Sequence, residues 1–305
     1  MLRPFPPGCG KGPFSQMASS SPPLRSRVVT ALLVAPAGLF FFFLLILPLI
    51  VVIVYSFGAR ADAGGYAPAF TLDNYANLPA RGRAFFNTLT IAPFGTLLTA
   101  FVAYPLAYFL AVKASDKVRT LLLVLVIVPF WTSQLLRYYA WIMILGAKGI
   151  PNWLSMIGIA DVRILNTPGA VLIGAVYGFL PLMILPIYVS LEKLDKRLLE
   201  ASADLGADAR RTFWQVTLPL SLPGVATGSM LVFILLMGEY ILPQFLGGGK
   251  VFFIGNALVD LFLQSRNWPF GAAVSMSMVA IMFVTIALYM RFILSRGDVR
   301  RAALV

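Results

Sequence analysis

The amino-acid sequence predicts an all-α membrane protein with six transmembrane helices, and three observations carry that prediction. Of 305 residues, 59% are hydrophobic and only 12% are charged, whereas a soluble domain carries about a quarter charged residues; the mean hydropathy is +0.86. The apolar residues fall in long, nearly uncharged runs, each reaching the roughly 20 residues a helix needs to cross a bilayer core. Between those runs Lys and Arg alternate between crowded and sparse intervals, as expected when one side of the membrane collects the cations.

Residues 1–27 are rich in Pro, Gly and Ser, carry Arg3, Lys11, Arg25 and Arg27, and read as a disordered cytoplasmic tail. Met17 is an alternative start. The run 28–57 exceeds the roughly 7–15 residues of a signal-peptide core, so it reads as an uncleaved first span. Five further spans are predicted at 84–112, 120–145, 168–191, 222–246 and 270–294. The chain therefore divides into a tail (1–27), a membrane domain (28–295) containing a cytoplasmic loop at 191–221, and a second cytoplasmic tail (296–305). Prolines such as Pro93, Pro105, Pro181 and Pro186 lie within spans, where neighbouring helices can re-satisfy the backbone groups they free. With the N-terminus inside, 16 of the 24 Lys and Arg residues fall on the inner side and seven on the outer, with Arg137 in the third span. Both termini and the 191–221 loop are thus placed in the cytoplasm.

Composition also excludes function classes. There is one cysteine, Cys9, and no histidine. An intrachain disulfide, a thiol metal site, a zinc-hydrolase site and a Ser-His-Asp triad are all ruled out. Gly249-Lys250 is followed by Val251 and lacks the first glycine of a phosphate-binding loop, so no nucleotide site is expected. The net charge of +12 reads as topology and attraction to anionic lipid headgroups rather than as nucleic-acid binding. No catalytic residue, metal ligand or cofactor is expected in this chain.

Ten of the 36 charged residues crowd into 191–211. Asp195 reads as the N-cap of a helix through Leu205, Gly206 as its left-handed terminator, and Asp208 as the cap of a second short helix ending near Thr217. Ala201 and Ala203 give the first helix a narrow face surrounded by charge. Two readings stay open on these residues alone: a wet hairpin on the membrane surface, or a helix made to dock in a groove on a cytoplasmic partner.

The spacing from Glu200 onward resembles the cytoplasmic loop E-A-A-x-x-x-G-x(9)-I-x-L-P of permease subunits in bacterial ATP-binding-cassette importers. Glu200, Ala201, Gly206, Leu218 and Pro219 match in register, while Ser202 replaces an alanine and Val216 an isoleucine. The resemblance implies a type I importer permease bundle (MetI-like), in which this loop is a coupling helix seated on an ATPase. Glu200, Ala201, Ser202, Asp204, Gly206, Leu218 and Pro219 would form or support that contact. "PFWTSQLLRYYAW" (129–141), "GEYILPQFLGGG" (238–249) and "FIGNALVDLFLQSRNWPFGAAVS" (253–275) look like the corresponding stretches of spermidine/putrescine permeases. The implied partners are a second, different permease subunit, two ATPase subunits that bind ATP and Mg, a periplasmic binding protein and a small cationic solute. The implied location is the bacterial inner membrane.

Glu239 is the only acidic residue within a predicted span, and an ionisable group there marks a pathway or a partner. It reads either as a contact for a polyamine ammonium, with Tyr240, Trp131 or Tyr138 supplying ring faces, or as the ion-pair partner of Arg137. Gly174 and Gly178, four residues apart in the fourth span, read as a close-packing pair. The same resemblance leaves room for a related permease of another small solute. An ion-coupled carrier would call for more intramembrane acids or inverted repeats.

Overall fold

The computed structural model describes residues 24–159 and 162–302. Most of the predicted N-terminal tail, with Cys9 and Met17, and the last three residues lie outside the described residues. The chain forms two compact units that divide between Val51 and Val52. The first holds α1 (Leu24–Phe41), a π-helical segment (Phe42–Ile46) and the first half of α2 (Leu47–Ser56). From Val28 on its sequence is apolar on every face, as a lipid-embedded helix requires.

The second unit takes the rest of α2 and then a small hairpin, β1 (Ala59–Arg60) paired antiparallel with β2 (Tyr66–Ala67), followed by α3 (Asp73–Ala76). Then come α4 (Gly82–Tyr108), extended by a π segment (Phe109–Lys113), α5 (Asp116–Ile127), α6 (Gln134–Leu145) and α7 (Ile150–Met156). Next are α8 (Pro168–Glu192), α9 (Lys196–Asp204) and α10 (Ala209–Thr212), the last joined through a π segment (Phe213–Thr217) to α11 (Leu218–Gly238). The chain continues through α12 (Ile241–Leu246), α13 (Ile254–Val259) with a π segment (Asp260–Gln264), and α14 (Trp268–Ala302).

Five helical stretches among the described residues are long and apolar enough to cross a membrane, and a sixth is formed if one bent pair counts as a single span. That total agrees with the six predicted, but three elements differ in form. The third span bends by 96° between Trp131 and Gln134. Pro129 lies in a 3-10 turn (Val128–Trp131), and Thr132 and Ser133 take extended backbone, so the helical ladder stops there. The predicted second loop helix does not end near Thr217 but runs on into the fifth span. That span stops at Gly238, with Glu239 extended (φ −70°, ψ 133°) before α12 begins. The interval predicted as a C-terminal tail is helical as far as Ala302.

The centre of the second unit is the trio α4, α8 and α11. Ala92, Ala103 and Ala107 on α4 and Ala175 on α8 are fully buried, and these small side chains let the helices approach closely. Met183, Ile184, Ile187, Val232 and Leu236 fill the space between them. Buried Thr88, Thr96 and Thr99 donate to carbonyls one turn back, at Ala84, Ala92 and Gly95. Their hydroxyls thus need no water in an apolar interior.

Candidate functional site

The break in the fifth span and the bend in the third face a common cavity of about 550 Å³. Its lining includes Phe130, Gln134, Arg137 and Tyr138 from the third span, Gly178 from α8, and Glu239 and Tyr240 from the fifth. One oxygen of Glu239, Oε1, accepts the N–H groups of Ile241 and Leu242 at 3.0 and 3.1 Å, capping the first turn of α12. The other oxygen lies 3.5 Å from Gln134 Nε2. Gln134 also donates to the Tyr138 hydroxyl one turn along α6. The carboxylate is therefore oriented by its backbone bonds while its second oxygen stays nearly uncommitted.

Arg137 shares the cavity. Its guanidinium sits 5.9 Å from the centre of the Phe130 ring, and its Nε is buried without a hydrogen-bond partner. No Arg137–Glu239 ion pair within 4.0 Å is found among the described residues. Four of the five residues singled out from sequence, Glu239, Tyr240, Arg137 and Tyr138, thus meet around one space. Trp131 is 85% exposed and is not part of the lining. Gly174 packs tightly, since a Cβ there would lie 2.5 Å from Leu242 Cδ1; Gly178 has open space and lines the cavity instead. The two glycines are therefore not a packing pair.

Sequence reasoning missed the residues that hold this break open. Asn256, 5% exposed on α13, donates to the Tyr240 carbonyl at 2.8 Å and accepts from the Phe253 N–H at 3.1 Å. The Ile254 N–H is taken by Thr88 on α4 at 2.9 Å. Gly255 packs against the same break: a Cβ there would come within 2.8 Å of the Glu239 carbonyl. The signal was present as a lone amide in the apolar stretch "FIGNALV", but it lay outside every predicted span.

The charged loop is the second candidate region. Asp195 caps α9 by accepting from the Arg197 N–H at 3.0 Å, and Asp208 caps α10 by accepting from the Arg211 N–H at 2.8 Å. Gly206 adopts φ +80°, and the Ala207 N–H returns to the Ser202 carbonyl at 3.1 Å, the helix-ending arrangement that favours glycine. Ser202 and Thr212 join the two helices through their hydroxyls at 2.9 Å. Glu200, Ala201, Asp204 and Gly206 face outward, and Leu205 is 88% exposed. Leu218 and Pro219 are half-buried in the first turn of α11.

Comparison with known proteins fits this geometry. Residues 103–297 match the family described as "Binding-protein-dependent transport system inner membrane component". The spermidine/putrescine transport system permease protein PotB of Haemophilus influenzae is 44% identical over 244 residues, covering 78% of this chain and 85% of that one. The PotB of Escherichia coli is 44% identical over 241 residues, covering 77% and 87%. The inner membrane ABC transporter permease protein YdcU of Escherichia coli is 35% identical over 246 residues, covering 75% and 77%. Among solved structures, a chain of a bacterial ABC transporter that imports the acidic polysaccharide alginate superposes with a TM-score of 0.71 at 18% identity, covering 88% of this chain and 95% of that one. At that identity the likeness establishes the fold alone. Fold and sequence agree: the chain belongs to the family of binding-protein-dependent transport system inner membrane components.

Proposed function

We propose that this chain is one permease subunit of an ATP-binding-cassette importer for polyamines, and that it carries the cation through the bilayer without altering it. The observation that carries the reading is the 44% identity to spermidine/putrescine permeases over more than three quarters of the chain. The cavity chemistry supports it. A polyamine ammonium leaving water needs a carboxylate and ring faces, and Glu239 offers one oxygen in a cavity that Tyr138 and Tyr240 also line. Arg137 in the same cavity balances Glu239 when substrate is absent, so entry of a cation displaces a weak long-range attraction rather than a closed ion pair.

The family membership supports the remaining assignments. The 191–221 loop docks on a cytoplasmic ATPase that binds ATP and Mg, with Glu200, Ala201, Ser202, Asp204 and Gly206 at the contact and Leu218 and Pro219 anchoring it to α11. A second permease completes the path, a second ATPase completes the motor, and a periplasmic protein delivers substrate to the outer loops. Such delivery has a parallel in the alginate transporter solved with its pentasaccharide-bound periplasmic protein. The cation asymmetry supports a cytoplasmic position for both termini, the 1–27 and 296–305 intervals.

The test is uptake of labelled spermidine and putrescine by the reconstituted complex carrying Glu239→Gln. The expected result is a loss of about tenfold or more in uptake at low substrate, the scale of one charge-assisted contact. Near-normal uptake with the complex intact removes Glu239 from the path. Competition by a different solute, without polyamine uptake, overturns the substrate while leaving the family in place.

A further inference from the structure

Both ends of the charged loop are tied to one place, the predicted cytoplasmic end of α4. On the outgoing side, the Phe213 ring lies edge-on to two tyrosines one helical turn apart on α4, with centroids 5.6 Å from Tyr104 and 6.1 Å from Tyr108 and interplanar angles of 89° and 84°. The Tyr104 hydroxyl also bonds Ser221 Oγ on α11 at 2.9 Å. Residues four apart on a helix form a slot, and Phe213 fills that slot between the two rings. On the incoming side, Arg119 donates to the Leu110 carbonyl at 3.2 Å and lies 3.9 Å from Glu192, the last residue of α8. That ion pair is long and half exposed, so it contributes little; the aromatic contact is the stronger tie.

The backbone on each side of the slot is unusual. Phe213 opens one π segment, and Tyr108 immediately precedes the other. Such segments weaken the regular helical ladder and recur at functional positions. A ring wedged between two others resists sliding in a way that the backbone around it does not.

We propose that Phe213 is the positioning residue through which movement of the charged loop is handed to α4, and through α4 to the central helix trio. The proposal rests on the reading that the loop docks on an ATPase. It concerns what happens after docking, when the loop is pushed: α9 moves, the Ser202–Thr212 bond draws α10 with it, and Phe213 turns the displacement into motion of α4.

The test is the number of substrate molecules taken up per ATP hydrolysed by the reconstituted complex, for wild type, Phe213→Ala, Phe213→Leu and the control Phe109→Ala. Phe109 lies in the neighbouring π segment and is 43% exposed. Losing two edge-on aromatic contacts is expected to lower the ratio about tenfold for Phe213→Ala. Phe213→Leu, which fills the slot without a ring, is expected to lower it about threefold, and Phe109→Ala leaves it at the wild-type value. A purely structural role would lower uptake and hydrolysis together and keep their ratio, which overturns the proposal. If Phe213→Ala does not assemble, Phe213→Leu decides: an unchanged ratio overturns the proposal and a reduced one supports it. Absence of ATP-driven uptake in wild type defeats the importer reading, and this inference with it. Normal coupling in wild type and in both Phe213 variants defeats this inference alone.

Discussion

Truncating Asn256 to alanine is expected to destabilise the second unit measurably. The side chain is 5% exposed. Its Nδ2 donates to the Tyr240 carbonyl at 2.8 Å and its Oδ1 accepts from the Phe253 N–H at 3.1 Å, with a longer 3.3 Å bond to Gln244. Alanine leaves the buried Phe253 N–H unpaired, while the Tyr240 carbonyl keeps the Gln244 N–H at 3.2 Å. A buried orphan costs roughly 1–3 kcal/mol, and that is the expected loss. At about 2–4 °C per kcal/mol for a chain of this size, the lower bound is a fall of about 2 °C in the unfolding midpoint. The assay is thermal unfolding of the purified complex followed by tryptophan fluorescence, with Gln244→Ala as the control. Gln244 is exposed and loses only the longest bond, so it is expected to stay within about 0.5 kcal/mol of wild type. A loss for Asn256→Ala no greater than that of Gln244→Ala would refute the claim that this amide holds the broken span. Because the Tyr240 carbonyl adjoins Glu239, the same variant is also expected to raise the KM for uptake.

The other predictions separate packing from passage. Gly178→Leu meets open space and is expected to block the cavity, lowering uptake while the unfolding midpoint stays near wild type. Gly174→Leu runs into Leu242 and Leu246 and is expected to lose about 1–3 kcal/mol of stability by overpacking, read in the same unfolding assay. Gly206→Ala forces a Cβ into the left-handed region at φ +80°, at a cost of about 1–2 kcal/mol. It is expected to weaken co-purification with the ATPase more than Gly206→Asn does, since asparagine tolerates that conformation. Glu239→Gln tests the path itself, as set out above.

The spans and the loop were legible because their signals are local. A run of apolar residues is read directly from hydropathy, and Asp195, Gly206 and Asp208 each act on backbone within three residues of themselves. The breaks were not legible, because what stabilises them is distant. The Tyr240 carbonyl, where the fifth span breaks, takes a second bond from Asn256 sixteen positions later. Thr88 receives the Ile254 N–H across 166 positions. An uninterrupted apolar run therefore showed that the fifth span exists but not where its helix ends. The third span gave more warning, since Pro129 and the Thr132-Ser133 pair stand together in the sequence. Their apolar surroundings still read as one continuous span. Glu239 was singled out for its charge, and the structure adds that it sits where the helix ends, which gives the carboxylate two N–H donors.

The π segment at Phe213–Thr217 joins α10 to α11 without a loop between them. A wide turn of this kind accommodates one residue more than an ordinary turn, and one residue rotates everything beyond it by about 100°. The rod therefore shows one angular phase to the loop and another to α4 and α8. A substitution in this stretch changes the contacts of its own side chain and leaves that angular phase unchanged. A single deletion would restore the ordinary turn and re-aim all of α11 relative to α10. Length here is a stricter constraint than identity, and the nine residues between Gly206 and Val216 behave as a ruler.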